Sequence, residues 1–182
     1  MVDSQQHKKP AENAMKKIAS MVLATIVAIC GNVHAQSYEL PLDIALHAAQ
    51  GAVKFCNAQG YHIGAAVVDR AGALRVFLRA DGSTVHVKDT AFRKAYTVIT
   101  LGPIFKFDRS SQAAAAFNGK PSEPSFLTIP DIALLPGAVA IKANGSIVAA
   151  LGVGGAPGGE KDEACAAAGV QAIATELSGS GK

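Results

Sequence analysis

The sequence predicts a mixed α/β fold of the α+β type, in which helices pack on an antiparallel sheet. Three observations predict it. Two pairs of short strand-like segments are each joined by a tight turn, and longer segments with apolar residues at helical spacing flank both pairs. The elements also do not alternate as a doubly wound parallel sheet requires. A chain of 182 residues has the usual length of one domain.

Each predicted element is bounded by residues that favour turns or helix ends. Gly60 and Gly102-Pro103 are typical stops for the first two helices. Asn144-Gly145 is a strong hairpin signal because both residues tolerate positive φ, and Glu160 gives the last helix an acidic start. In chain order we predict helix 41–59, strands 61–68 and 74–80, helix 85–101, short helix 112–117, an irregular proline-containing loop 120–130, strands 137–141 and 147–153, and helix 160–177.

Residues 1–35 are similar to an export signal. Lys16 and Lys17 precede an apolar run over 18–29, and Val33-His34-Ala35 is a small-x-small cleavage site. Met15 stands directly before the two lysines and is a candidate start of translation. We therefore expect a periplasmic or secreted protein.

The expected mature chain is a single domain over residues 36–182. Its apolar run has been removed and was in any case too short to span a bilayer comfortably, so we expect no stable membrane insertion. Cleavage removes four lysines and two acidic residues, which leaves 13 cationic and 12 acidic residues. Nucleic-acid-binding proteins usually carry a clearly basic surface, so we expect no nucleic-acid partner.

Several segments together resemble one family. Val67-Val68-Asp69 with Gly72 is followed by Arg79-Ala80-Asp81-Gly82, then by Arg93-Lys94-Ala95, and finally by the glycine-rich run within 147–168. In this order and spacing they are similar to the GlcG/HbpS family, which also includes the C-terminal domain of PduO-type proteins. The chain departs from the family pattern at Pro136-Gly137 and Gly154-Gly155.

The resemblance implies a profilin-like layout with a five-stranded antiparallel sheet, and a tendency to form homo-oligomers. It implies haem binding in some members and associations with glycolate utilisation or cobalamin in others. The first hypothesis is therefore a haem-binding protein of the periplasm. The alternatives are a module that binds a carboxylate or corrinoid, and an interaction protein in which residues 113–117 pack between subunits.

Ligand-binding candidates occur at the first hairpin and at the glycine-rich run. Arg79 and Lys94 are expected to contact a ligand carboxylate, with Asp81 beside them. Gly154 and Gly155 follow a strand and precede a helix, a position in which backbone N–H groups can bind an anion. Ion pairing and turn formation explain the same residues without a ligand.

Histidines are the predicted iron ligands. No methionine follows Met21, so an axial ligand must be His, Tyr, Cys or a weaker oxygen donor. His86 is ranked first because it closely follows the Arg79–Asp81 turn, and His62 or His47 is the alternative. The sequence Cys-x-x-Cys-His is absent, so haem would bind without a covalent bond.

Catalytic motifs are not recognisable in this sequence. The serines lack a nucleophile-elbow pattern, and the only adjacent carboxylates, Asp162-Glu163, are explained by the start of a helix. Zinc-type Cys/His clusters are missing as well. No catalytic residue is assigned, and a binding function is preferred over an enzymatic one.

Cys56 and Cys165 are the two cysteines of the expected mature chain, since Cys30 lies in the export signal. Both occur among small residues on predicted helices, which would allow a close approach. We predict a disulfide between them, which an oxidising compartment would preserve. Two buried free thiols are the alternative.

Overall fold

A computed structural model describes residues 38–179 of the protein. The predicted export signal, Met15 and Cys30 lie outside the described residues. No described helix has the length and apolar character that a membrane span requires.

The elements follow the predicted order with shifted ends. The helices are α1 Leu42–Asn57, α2 Val87–Phe105, α3 Ser110–Phe117, α4 Glu123–Leu127, α5 Gly159–Ala172 and α6 Ala174–Gly179. The strands are β1 Gly64–Asp69, β2 Leu74–Arg79, β3 Ala138–Ala143 and β4 Ser146–Gly154.

The strands form one antiparallel sheet in the order β2-β1-β4-β3. Both hairpins are present, and β1 of the first pairs with β4 of the second. The Asp69 carboxylate stabilises the β1–β2 turn by accepting hydrogen bonds from the Ala71 and Ala73 N–H groups, at 2.9 and 3.0 Å. The mixed fold with an antiparallel sheet is confirmed. The expectation of five strands is wrong for residues 38–179, which contain four.

Helices cover both faces of the sheet. Alternate residues of β1 point in opposite directions, so Ala65 and Val67 pack in the cluster that contains α1 and α5, whereas Val68 packs in the cluster that contains α2. On α1 the buried positions are mostly alanines, which let the helix approach its neighbours closely. They are Ile44, Ala45, Ala48, Ala49, Ala52 and Cys56.

A disulfide joins α1 to α5. Cys56 and Cys165 are bonded, with their Cα atoms 5.6 Å apart, and both are buried. Small residues surround the bridge, as expected from the sequence. A Cβ at Gly169 would overlap the Ala48 carbonyl oxygen, so glycine is needed where the two helices cross.

Three helix predictions need correction. α2 does not stop at Gly102-Pro103 but continues to Phe105, because a proline in the last turn removes only one hydrogen bond and the chain leaves the helix at Lys106. Residues 120–130 are not wholly irregular, since α4 forms there with Pro124 in its first turn, where the missing N–H costs nothing. The last helix is interrupted at Ile173.

The alanine-rich segment 113–117 is buried only in part. Ala113 and Phe117 are buried in a cluster with Leu101 and Phe107, and the Phe117 ring lies 4.2 Å from the ring of Phe126 in α4. Ala113 and Phe117 are therefore used within the chain, whereas Ala115 is exposed and remains open to a neighbouring subunit.

Candidate functional site

Most of the predicted site residues meet at one end of the sheet. The strand registers place Arg79 opposite Gly64, and Gly64 opposite Gly154. Asp81 follows β2 at this end, and Gly155 follows β4. We call this region the glycine end, and the hairpin turns form the opposite end.

The glycines here make room for α2. A Cβ at Gly152 would overlap the Ala91 carbonyl oxygen, and one at Gly154 would overlap the Thr90 hydroxyl. Both contacts are with the first turns of α2, so these two glycines allow the helix to lie directly against β4. Close packing against α2 therefore explains the glycine at position 154 without a ligand.

The glycine-rich turn does bind an anion, and that anion is part of the protein. The Ala156 N–H donates to Oδ1 of Asp162 at 2.9 Å. Lys94 Nζ donates to the other oxygen, Oδ2, at 2.7 Å and to the Val153 carbonyl at 3.1 Å. Asp162 is 3% exposed and Lys94 5%. The carboxylate thus fills the position expected for a ligand.

Lys94 consequently has a different role from the one predicted. Its ammonium does not face solvent beside Arg79, because it is buried between α2, β4 and α5 in an ion pair. A Cβ at Gly137 would lie 2.7 Å from the same Nζ, so the start of β3 closes the remaining side. The expectation that Lys94 contacts a ligand carboxylate is wrong for this structure.

Burial raises the pKa of Asp162 above its ordinary value of 3.8, because the charged carboxylate has lost most of its water. The hydrogen bond and charge of Lys94 oppose this effect, as does the Ala156 N–H. The electrostatic interaction with His86 acts in the same lowering direction on the pKa of Asp162. Desolvation outweighs all of them.

Arg79 and Asp81 remain at the surface. The Arg79 guanidinium donates to the Ser83 hydroxyl at 3.0 Å and to the Ser83 carbonyl at 2.8 Å, which holds the loop after β2 in place. Asp81 is exposed and has no ion-pair partner within residues 38–179. Of the two predicted cations, only Arg79 is open to a ligand.

Both preferred histidines are exposed at the glycine end. The His62 carbonyl and the Val87 side chain, next to His86, contact Gly155 from two sides: a Cβ there would lie 2.9 and 3.0 Å from them. Gly155 has a φ of 122°, so glycine is required both sterically and conformationally. The third histidine, His47, lies on α1 and pairs with Glu176 at 2.5 Å.

The chain that has this fold, with two histidines beside a glycine-rich turn, also matches a known protein family. The model of the family described as "Haem degrading protein HbpS-like" matches residues 40–171. The chain belongs to the HbpS-like family. The resemblance inferred from the sequence is thereby confirmed. None of the curated protein sequences matches the chain.

Several solved structures are similar over most of the chain. A double mutant of Streptomyces reticuli HbpS is 36% identical with a TM-score of 0.70, over 79% of this chain and 92% of that one. The Klebsiella pneumoniae protein ORFY is 21% identical with a TM-score of 0.69, over 81% and 97%. A PduOC:heme complex is 18% identical with a TM-score of 0.65, over 75% and 96%. The last two show the shared fold.

Two interactions of this HbpS-like chain were not anticipated from its sequence. Glu163 accepts hydrogen bonds from the Ser111 N–H at 3.0 Å and the Ser111 hydroxyl at 2.7 Å, so it caps α3 rather than only its own helix. Lys161 lies over the Tyr61 ring, 5.1 Å from the centroid. Neither interaction could be predicted from local sequence, because its two residues are far apart in the chain. The position of Lys161 next to a conspicuous acidic pair was the one local feature that could have suggested a role for its charge.

Within residues 38–179 no three His, Cys, Asp or Glu side chains are grouped as a metal site would require.

Proposed function

We propose that this protein binds haem without a covalent bond, at the glycine end of its sheet, outside the cytoplasm. The observation that carries the proposal is the pair of exposed imidazoles, His62 and His86, beside Gly155 in a chain of the HbpS-like family. The name of the family refers to haem, and a PduOC structure of the same fold is a haem complex.

The residues of the glycine end fit haem chemically. An imidazole nitrogen is a common ligand of haem iron, and neither the His62 nor the His86 imidazole has a hydrogen-bond partner within the described part of the chain. Haem would supply the iron and four porphyrin nitrogens. The protein would supply an imidazole nitrogen to the iron, with His86 as first choice and His62 as second.

Apolar and cationic groups lie close to the two histidines. Val85, next to His86, is 90% exposed, which is unusual for a β-branched apolar side chain. A porphyrin bound at this end would cover it. Arg79 at the end of β2 is a cation suited to a propionate. Lys161 at the start of α5, above the half-buried Tyr61, is a second cation suited to a propionate.

Titration of the protein with haemin tests the proposal. We expect a shifted Soret band at one haem per chain, and a weaker or displaced band in His86→Ala. His62→Ala tests the second ligand. His47→Ala is the matched control, because this histidine belongs to α1 and pairs with Glu176, and it should leave the spectrum unchanged.

Three outcomes would count against the haem proposal. A haemin titration without spectral change would reject it. Equal spectra of wild type, His86→Ala and His62→Ala would move the site elsewhere. A larger thermal stabilisation by a corrinoid than by haemin would favour the alternative binding module.

Export and assembly are further parts of the proposal. We propose that cleavage after Ala35 releases residues 36–182 to the periplasm or medium, where they form a homo-oligomer. Expression of the full chain, cell fractionation and intact-mass measurement test the cleavage. Light scattering of the released protein tests assembly, and a strict monomer would contradict it.

A further inference from the structure

A second candidate binding site lies at the opposite end of the sheet from the histidines. A cleft of about 520 Å³ opens where the end of α2 meets the β1–β2 turn and the β3–β4 turn. Its lining combines Pro103 and Ile147 with four charged residues, Arg70, Lys106, Asp108 and Lys142. Clefts of this size are typical of small-molecule sites.

The charges in the cleft are unbalanced. Lys142 Nζ and Asp108 Oδ2 form an ion pair at 2.6 Å, which neutralises both groups. Arg70 and Lys106 have no hydrogen-bond or ion-pair partner for their side chains in residues 38–179, so two positive charges remain unpaired. A cleft with two free cations attracts a ligand with two negative charges.

The backbone at Lys106 is unusual. Lys106 has φ 62° and ψ 46°, the left-handed conformation that normally selects glycine or asparagine at the end of a helix. A lysine is less favourable there because its Cβ is crowded. Such a residue is often kept for its side chain, and this side chain lines the cleft.

A simpler explanation exists for one of the two cations. Lys106 follows the C terminus of α2, where a positive charge is favoured by the helix dipole alone. That explanation does not apply to Arg70, which belongs to the β1–β2 turn and comes to the cleft from another element. The convergence of both cations on one cavity distinguishes a binding site from a helix cap.

We propose that this cleft binds a small dianion, a dicarboxylate or a phosphate, between Arg70 and Lys106. The planar guanidinium of Arg70 can form two parallel hydrogen bonds to a carboxylate or phosphate, and the Lys106 ammonium neutralises the second negative charge. Pro103 and Ile147 provide an apolar wall for a short carbon chain. This site is independent of haem.

Calorimetric titration with inorganic phosphate and with succinate tests the site. We expect at least one of these two anions to bind at one equivalent per chain. The anion with the higher affinity identifies whether the site prefers a phosphate or a dicarboxylate. Acetate, with one negative charge, should bind more weakly at equal ionic strength. Absence of binding by both dianions up to about 10 mM, which is the range of very weak complexes, would overturn the proposal.

Substitutions locate the binding. Arg70→Gln should weaken the dianion about ten- to hundredfold, the usual effect of losing a charged hydrogen-bond partner. Lys106→Gly should also weaken it while the melting temperature stays equal or rises, because glycine suits the left-handed backbone. This combination separates a binding role from a structural one.

Lys54→Gln is the matched control, since Lys54 is an exposed lysine on α1, across the sheet from α2. It should leave dianion binding unchanged. Equal affinities in wild type, Arg70→Gln and Lys106→Gly, or an equal loss in Lys54→Gln, would overturn the assignment. Haemin titration of Arg70→Gln should match wild type, so failure at one end of the sheet is distinguishable from failure at the other.

Discussion

The first turn of α5 and its middle hold the same helix in place by different means. The first turn uses charge: Asp162 pairs with Lys94 of α2, and Glu163 caps α3. The middle uses small apolar residues and the disulfide from Cys165 to α1. Alanine and glycine bury little apolar area, so close packing alone contributes modestly there, whereas the polar contacts depend on pH and on each partner being present.

Removing the disulfide is the largest expected perturbation of the middle of α5. Cys56→Ala and Cys165→Ala should each lower the free energy of unfolding by about 4–5 kcal/mol, since the bridge spans 109 residues and a loop of that length constrains the unfolded chain strongly. Urea unfolding measures it. Wild type unfolded and refolded under reducing conditions should match the variants, and a loss below about 1 kcal/mol would show that packing suffices.

Breaking the buried ion pair is the corresponding perturbation of the first turn. Lys94→Met should cost about 3–5 kcal/mol, because Asp162 would keep a buried charge without its cation. The double variant Lys94→Met, Asp162→Asn removes both charges and retains an acceptor for the Ala156 N–H, so it should recover much of the loss. If the double variant is less stable than Lys94→Met, the pair is not the source of the cost.

Glu163→Ala should have a smaller effect than either. It removes two hydrogen bonds to the start of α3, each to a charged acceptor, and about 1.5–3 kcal/mol is expected. Glu163→Gln, which keeps an acceptor, should lose less. Amide hydrogen exchange should then increase in Ser110–Phe117 and not in α1, and equal exchange in both helices would contradict a local cap.

The pH dependence should differ between the two parts of α5. Since burial raises the pKa of Asp162 above 3.8, the native state retains a proton that the unfolded state loses just above that pH. Stability from this group is therefore full below pH 3.8 and falls as pH rises through the higher native pKa. The stability difference between wild type and Asp162→Asn should follow this decline, while Cys165→Ala should show wild-type pH dependence.

Local patterns predicted most of the fold and less of the site. Helical spacing of small residues located α1, and Asn144-Gly145 located the second hairpin, because both signals act within a few residues. Lys94 was misassigned because its partner Asp162 is 68 residues away, and no local feature of Arg93-Lys94-Ala95 shows that the ammonium is buried. The charge balance of the cleft around Arg70 likewise depends on three segments that are far apart in the sequence.

The contact between α1 and α5 joins two parts of the chain that are synthesised far apart in time. At the usual synthesis rate of about 5–20 residues per second, the sequence separation of 109 between Cys56 and Cys165 corresponds to roughly 5–20 s of synthesis. Throughout that interval the alanine stripe of α1 has no partner helix. The nascent chain is therefore exposed to chaperones and proteases until α5 arrives, and the native topology closes late, when α5 packs against α1.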